Sequence, residues 1–324
     1  MNQICENTAA LELVSTLIEK EREPHSIIIT GEKGLGKKTL AKAVAAQLLC
    51  EKGNGASCGK CRQCRLIESG AHPDLLIAEA SETGNYKVEH IRSLISNAYS
   101  SPTEGKFTVI LIPDLDRSVQ TLKQIQNILL KLIEEPPDSA IIILTMRSKE
   151  LFLDTIISRA IHLQVEEVSF ANTLAYLTQN GFDPQLSEEA ARRCGGNIGR
   201  CLDYCENEKT RLLAEAALNA ANALASFNEY QLLKELSSID GKKDSFIETL
   251  FYFKRIVRDS CRIRAGAVCT QPFSQRVCSA LAADFSETAL AEIYDTLSDF
   301  SSRASANCLI STLTNALTAR LMQQ

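Results

Sequence analysis

A run of glycines and lysines near the N-terminus has the residue types and spacing of a phosphate-binding loop. It lies between the apolar segment Ser26–Thr30, which predicts a buried strand, and the alanine-rich segment Leu40–Leu49, which predicts a helix. Backbone N–H groups of such a loop and of the helix N-terminus bind phosphate, and Lys37 would reach the terminal phosphates. The candidate nucleotide-binding residues here are Gly31, Gly34, Gly36, Lys37, Lys38 and Thr39.

The residues that would hold Mg²⁺ beside this loop are missing. The position after Lys37 should carry a hydroxyl but is Lys38, and Thr39 comes one residue late, turned by about 100° around the helix. A second apolar strand, Phe107–Ile112, should end in an aspartate for the metal and a glutamate for the attacking water, but Pro113-Asp114 stand there. The joint loss predicts a P-loop fold that does not hydrolyse ATP, and it makes bound Mg²⁺ doubtful. Because the three glycines of the loop are kept, we expect weak binding of ATP or ADP; the alternative is a Lys37 that packs near the loop without ligand.

Four of the twelve cysteines have the spacing of a metal site. Cys50, Cys58, Cys61 and Cys64 include two successive Cys-x-x-Cys pairs, a spacing that lets the thiolates converge on one tetrahedral ion, usually Zn²⁺. Four sulfur ligands leave no open position, so the cluster predicts a structural zinc and no catalysis. A redox pair and an iron–sulfur cluster are the lesser alternatives. The other cysteines fit buried, small apolar positions.

Composition limits the classes of protein to which the chain can belong. A length of 324 residues predicts two or three domains, and a net charge of −5 argues against a surface that grips nucleic acid throughout. No apolar run approaches a membrane span, and the N-terminus lacks the pattern of a secretory signal, which predicts a cytoplasmic protein. Without tryptophan and with few aromatic residues, no platform for stacking bases is visible.

The order of the apolar patterns predicts an α/β domain followed by helices. Isoleucine- and valine-rich strands alternate with helical patterns up to about residue 166, which indicates a parallel sheet buried on both faces. From Ser169 onward only helical patterns occur. We expect three domains: a P-loop domain with the cysteine insertion at 1–166, a small helical unit at 167–207, and an all-α region at 208–324, which the family resemblance described below would make a lid and a collar.

Six segments in this order together resemble the clamp-loader branch of the AAA+ proteins. They are the glycine loop with its helix, the four-cysteine insertion after it, the turn Ala71–Asp74, the helix end Asn127–Pro137, the segment Thr155–Ala160, and the loop Gly195–Arg200. Each segment alone is a weak signal, but the order and spacing are specific. The resemblance covers Ala9 to about Arg200, and it implies an AAA+ domain, a lid and a ring-forming collar.

The resemblance implies a role for three further residues. Arg159 would be an arginine finger that acts in trans on the ATP of a neighbouring subunit, so it would not need this chain's own loop. Thr145 would be a first sensor of the γ-phosphate, and a capping hydroxyl explains it equally well. Arg200 would contact nucleotide from the lid, and an arginine on a helix surface is the equal alternative.

Because the Mg²⁺ positions are degenerate, the resemblance points to the family's non-motor member, an accessory subunit of bacterial DNA polymerase III without its own ATPase. The implied partners are the gamma/tau motor subunits, the delta subunit, the sliding clamp, and primer–template DNA contacted through its phosphates. No long tail of the tau kind follows the collar pattern. Two alternatives stay open: an active ATPase of the gamma/tau type, and a zinc-containing AAA+ scaffold outside replication.

Overall fold

A computed structural model describes residues 6–81, 84–118, 120–239, 241–269, 271–305 and 308–323. The chain divides into two compact units, Met1–Val168 and Ser169–Gln324. The first unit contains a parallel sheet with helices, and the described part of the second unit contains helices and no strand. The predicted fold class, an α/β domain followed by helical structure, is confirmed. The further division of the helical part at residue 207 stays a prediction.

The elements of the first unit alternate along the chain as the sequence predicts. The strands are β1 Ser26–Thr30, β2 Leu75–Ile77, β3 Thr108–Ile112, β4 Ala140–Met146 and β5 Ile161–Gln164. The helices are α1 Thr8–Glu19, α2 Lys37–Leu49, α3 Arg62–Ser69, α4 Val88–Asn97, α5 Leu122–Glu134 and α6 Asp154–Ile157. The second unit contains α7 Phe170–Gln179, α8 Pro184–Cys194, α9 Ile198–Glu206, α10 Glu208–Ala225, α11 Glu229–Ser237, α12 Lys243–Arg264, α13 Gln275–Asp284, α14 Glu287–Ser305 and α15 Ile310–Leu321.

The five strands form one sheet in the order β2-β3-β4-β1-β5, and all neighbouring strands are parallel. Every residue of β1, β3 and β4 is buried, as expected for a parallel sheet that is covered on both faces. Successive side chains of each strand therefore pack into two separate apolar cores, one on each face of the sheet. The carboxyl ends of β1, β4 and β3 lie side by side, which is where open parallel sheets bind ligands.

Successive isoleucines of one strand pack on opposite faces of the sheet. The core shared with α1 and α2 includes Ile27, Ile29, Val109, Leu111, Ile141 and Ile143. The core shared with α4 and α5 includes Ile28, Ile110, Ile112, Ile142 and Leu144. These two cores hold the sheet rigidly, so the loops at its carboxyl edge have a fixed support.

The turn that precedes β2 anchors a distant loop. The buried carboxylate of Asp74 accepts hydrogen bonds from the backbone N–H groups of Thr103 (2.7 Å), Glu104 (2.8 Å) and Gly105 (2.7 Å). Burial by itself would raise the pKa of Asp74, but the three N–H groups outweigh it and hold the pKa below its ordinary value. The turn thus has a structural role: Asp74 holds the loop that leads into β3 in place.

His72 in this turn makes the stability of the first unit depend on pH. Its Nδ1 accepts a hydrogen bond from the N–H of Asp74 at 3.0 Å, which requires that nitrogen to be unprotonated. Burial lowers the pKa of His72 below its ordinary value, although the nearby carboxylates of Asp74 and Glu104 oppose the shift. Between the lowered pKa and about pH 6.5 the unfolded chain binds the proton more readily than the folded chain, so stability falls as the pH falls.

We therefore expect the free energy of unfolding of the wild-type protein to fall more steeply below about pH 6.5 than that of His72→Asn, whose amide oxygen accepts the same bond without titrating. Urea unfolding at a series of pH values measures the difference. The matched control is His25→Asn, at an exposed position of the same unit, which should follow the wild type. Parallel curves for wild type and His72→Asn would refute the assignment.

The second unit is built around one continuous apolar core. Its buried residues extend from Leu177 on α7 to Leu321 on α15. Helix α10 contributes four fully buried alanines (Ala214, Ala217, Ala220 and Ala221), whose small side chains allow close packing of the helices around it. Among the described residues, none of the helices combines the length and the apolar composition needed to cross a lipid bilayer.

Candidate functional sites at the glycine loop, the cysteine cluster and Arg159

The glycine loop connects β1 to α2 and has the backbone geometry that an anion requires. Gly31, Gly34 and Gly36 have φ angles of 153°, 93° and 91°, values that side-chain-bearing residues rarely adopt. A Cβ atom on Gly31 would also lie 3.0 Å from the carbonyl oxygen of Val165. Gly36 precedes the first turn of α2, and no side chain caps that turn. Its N–H groups are therefore available to an anion.

Lys37 is held inside this loop by two oxygen partners. Its side chain is only 5% exposed, and its Nζ donates a hydrogen bond of 3.0 Å to the carbonyl oxygen of Glu32. The same Nζ lies 3.5 Å from Oδ1 of Asp114, the acid that follows β3. The structure thus brings together the predicted lysine and the acid that follows β3, although β4 lies between β3 and β1 in the sheet. Asp114 balances the charge of Lys37 in this arrangement.

Thr145 lies beside the same acid. Its fully buried hydroxyl accepts a hydrogen bond of 2.8 Å from the backbone N–H of Asp114. Asp114 has a φ angle of 46°, in the left-handed region that non-glycine residues seldom occupy. The contact therefore stabilises an unusual backbone conformation next to Lys37. Whether Thr145 also senses a γ-phosphate stays a prediction.

The positions that would hold Mg²⁺ carry other groups. The Lys38 and Thr39 side chains are exposed at the start of α2, and Pro113 offers no carboxylate. The hydroxyl of Tyr86 donates a hydrogen bond to the Pro113 carbonyl oxygen, and burial raises the pKa of Tyr86, so it stays a protonated donor. These residues do not fit a Mg²⁺ ion. No sequence pattern marks Tyr86 as part of this site, because the contact joins positions 27 residues apart.

The four predicted cysteine ligands converge. Their sulfur atoms all lie within 4.8 Å of one another. Cys50 follows α2, Cys61 caps α3, and Cys64 lies in the first turn of α3. A Zn–S distance of about 2.3 Å in a tetrahedron separates the sulfurs by roughly 3.8 Å, so a small contraction would complete the site. The cluster is positioned to hold one metal ion.

Backbone groups favour thiolates in the cluster. The N–H groups of Cys58, Cys61 and Cys64 point at the sulfurs of Cys50, Cys58 and Cys61 over 3.5, 3.3 and 3.4 Å. Backbone N–H groups of Lys60 and Cys61 lower the pKa of Cys58 to about 6, whereas burial raises the pKa of Cys64 to about 12. A cation is what would make four thiolates stable together, and the donor set of four sulfurs suits Zn²⁺.

Arg159 lies at the opposite end of the sheet from the glycine loop. Its carbonyl oxygen accepts a hydrogen bond of 2.8 Å from the hydroxyl of Ser26, the first residue of β1, whereas the loop follows the last residue of that strand. Five residues of β-strand span roughly 16 Å. The two ends of β1 therefore separate Arg159 from Lys37, and this arginine cannot serve the chain's own loop.

The guanidinium of Arg159 is accessible and held loosely. Nη1 donates a hydrogen bond of 3.0 Å to the carbonyl oxygen of Thr155, and Nη2 lies 3.6 Å from Oε1 of Glu134 at the end of α5. The Arg159 and Glu134 side chains are 44% and 46% exposed, respectively. An ion pair so exposed contributes about 1 kcal/mol or less. The arginine can exchange this partner for another anion at little cost.

Arg200 is engaged within the second unit. Its guanidinium forms an ion pair with Glu248 and lies 3.6 Å from the centre of the Phe251 ring, both on α12. Only 11% of the Arg200 side chain is exposed. A contact with nucleotide would require this pair to open, and the role of Arg200 there stays a prediction.

Comparison with known proteins identifies relatives. A family model described as "DNA polymerase III, delta subunit" matches residues 6–169. DNA polymerase III subunit gamma of Buchnera aphidicola subsp. Schizaphis graminum is 29% identical over 71% of this chain and 61% of that protein. Subunit delta' of Bacillus subtilis is 28% identical over 61% of this chain and 59% of that protein. Subunit tau of Escherichia coli is 36% identical over 56% of this chain and 29% of that protein.

The chain thus spans about six-tenths or less of the length of these curated relatives. The family match contains the glycine loop, the four clustered cysteines, Asp114, Thr145 and Arg159. Because that match covers half of the 324 residues, the chain belongs to the DNA polymerase III delta-subunit family.

Proposed function

We propose that this chain is a clamp-loader subunit of the delta-prime type, which works in DNA replication without hydrolysing ATP itself. In this role it is a stator: a fixed subunit that supplies Arg159 to the ATP of a neighbouring subunit. The names of the relatives, delta', gamma and tau, support the clamp-loader assignment at the level of the family. The choice among these types depends on the geometry of this chain's own residues.

The position of Arg159 is the observation that carries the proposal. The arginine is exposed at the amino end of β1, and Lys37 lies beyond the carboxyl end of the same strand. A subunit docked against that edge could place its bound ATP within reach of the guanidinium. There Arg159 would neutralise the charge that develops on the γ-phosphate during cleavage, as arginine fingers do.

The residues beside Lys37 support the absence of hydrolysis. Hydrolysis needs a carboxylate to orient the attacking water and ligands to hold Mg²⁺. Asp114 is paired with Lys37, Pro113 is bonded to Tyr86 through its carbonyl oxygen, and Lys38 replaces the hydroxyl. We infer that the loop binds ATP or ADP weakly and that the cysteine cluster holds a structural Zn²⁺.

The partners that we propose follow from the same role. Gamma/tau motor subunits would provide the ATP that Arg159 serves, and the larger, C-terminal part of the helical second unit would form the collar that joins the ring. The lid would extend over 167–207 and the collar over 208–324. Further partners would be the delta subunit, the sliding clamp and primer–template DNA, contacted through its phosphates, all in the cytoplasm.

The isolated chain is expected to show no Mg²⁺-dependent ATP turnover above the background of a Lys37→Ala variant. The same preparation should assemble with the gamma/tau and delta subunits, as measured by size-exclusion chromatography and mass of the complex. Turnover that depends on both Mg²⁺ and Lys37 would favour the active motor alternative. Failure to assemble with either partner would favour a scaffold outside replication.

A further inference from the structure

The backbone of Arg159 is fixed, although its guanidinium is held loosely. The hydroxyl of Ser26, the first residue of β1, donates a hydrogen bond of 2.8 Å to the Arg159 carbonyl oxygen. Ser26 is buried, in a strand that is paired with a neighbour on both sides, so water competes little for this bond. The bond fixes the point at which the arginine side chain leaves the protein surface, and it leaves the guanidinium able to turn toward a new partner.

The chain that leads to Arg159 is held at its other end by Gln126 on α5. The Gln126 side chain is buried, and its amide makes two hydrogen bonds with one stretch of backbone. Its Oε1 accepts a bond of 2.7 Å from the N–H of Leu153, and its Nε2 donates a bond of 3.1 Å to the carbonyl oxygen of Leu151. Leu153 immediately precedes α6, and Arg159 comes two residues after that helix ends. Gln126 therefore fixes the start of the helix that carries the chain to Arg159.

Helix α6 itself depends on its surroundings. It has only four residues, and a helix so short is not stable alone. Ile156 is fully buried in the core that the sheet shares with α4 and α5. The carbonyl oxygen of Ile157, the last residue of α6, lies 2.8 Å from Nε2 of His162 on β5. Side chains from α5, β1 and β5 thus decide where the segment 151–159 lies.

We propose that Ser26 and Gln126 are positioning residues for Arg159: they hold the two ends of the segment 151–159, so that the arginine is in place before a neighbouring subunit docks. The inference rests on the finger role proposed above. Neither residue reaches the ATP, and each acts through the backbone of the segment. Pre-organisation matters because a misplacement of about 1 Å at a reacting centre can lower turnover by about 10²-fold.

Hydrogen exchange of the isolated full chain, followed by mass spectrometry, tests the positioning without any partner or ATP. In Gln126→Met the N–H of Leu153 loses its acceptor, so peptides that cover 151–159 should exchange about fivefold faster than in the wild type, the effect of one hydrogen bond. The matched control is Gln124→Met, at an exposed glutamine of the same helix, which should exchange like the wild type. Equal exchange by wild type and Gln126→Met would overturn the proposal.

ATP turnover by the reconstituted clamp loader tests the consequence for the reaction. Ser26→Thr and Ser26→Val have the same shape and differ only in the hydroxyl. Ser26→Thr should keep the wild-type kcat, whereas Ser26→Val and Gln126→Met should each lower kcat by about tenfold. The KM for ATP should stay unchanged, because the finger acts on charge that develops only during cleavage. A residue that merely stabilised the fold would change the yield of assembled complex and leave kcat per complex as it was.

Arg159→Ala in the same complex separates the failure of this inference from the failure of the finger role. If Arg159→Ala lowers turnover while Ser26→Val equals Ser26→Thr and Gln126→Met equals the wild type, the positioning role is overturned and the finger stands. If Arg159→Ala turns over ATP at the wild-type rate, the finger role fails and the positioning role fails with it. Thermal unfolding of each variant confirms that the complexes compared contain folded chains.

Discussion

Replacing Arg159 with alanine is expected to lower ATP turnover at the neighbouring subunit's site by about 10³-fold, with the complex still assembled, because an arginine finger contributes 10³ or more to turnover. The guanidinium is 44% exposed and its ion pair with Glu134 is worth about 1 kcal/mol or less, so the fold should survive its removal. The measurement is ATP turnover of the reconstituted clamp loader on primed DNA with the sliding clamp.

Two further variants sharpen this test. Arg159→Lys keeps the charge but loses the planar fork that matches a phosphate, so its turnover should lie between those of wild type and Arg159→Ala. Arg92→Ala removes an exposed arginine from α4 of the same unit and should leave turnover unchanged. Wild-type turnover by Arg159→Ala in an intact complex would remove the finger role. The chain would then be a structural member of the ring.

Replacing Cys61 with serine is expected to abolish metal binding and to lower the free energy of unfolding of the first unit by about 4 kcal/mol or more. Cys61 belongs to the four-sulfur cluster and also caps α3, so its loss removes one ligand and frees the start of that helix. The measurements are zinc content by elemental analysis, expected at one equivalent in the wild type, and urea unfolding.

The loss of stability caused by Cys61→Ser should extend beyond the cysteine loop. Arg62, next to Cys61, forms a 2.7 Å ion pair with Glu104, whose backbone N–H is bonded to Asp74. Loosening α3 therefore weakens the loop that leads into β3. The matched control is Cys308→Ser, at an exposed cysteine outside the cluster, which should keep its zinc and its stability. Full stability of metal-free wild type would contradict a structural role.

Local patterns were enough to predict the strands and the long helices of the first unit, but not the short helices α3 and α6. Runs such as Ile27–Ile29 and Ile141–Ile143 can only be buried on both faces, and the structure places them as the central strands β1 and β4. The convergence of Cys58, Cys61 and Cys64 could be predicted from their short spacing, because two residues between successive cysteines allow both sulfurs to reach one metal ion. The helical second unit followed from periodicity.

Contacts between distant residues could not be predicted in this way. The hydroxyl of Tyr86 bonded to Pro113 and the triple hydrogen bond to Asp74 join positions whose proximity depends on how strands and loops pack. The ion pair of Arg200 on α9 with Glu248 on α12 joins residues 48 positions apart. No local pattern marks any of these partners.

The sequence by itself determined which residues could do chemistry: glycines and a lysine for phosphate, cysteines for a metal, and an arginine in a family motif. Tertiary structure decided what each of them faces. The parallel order of β3, β4 and β1 brings Asp114 and Thr145 to Lys37, and the length of β1 keeps Arg159 away from that same site. The physical reason is that residue type and spacing fix local geometry, whereas only the packing of the sheet fixes which ends of the strands meet.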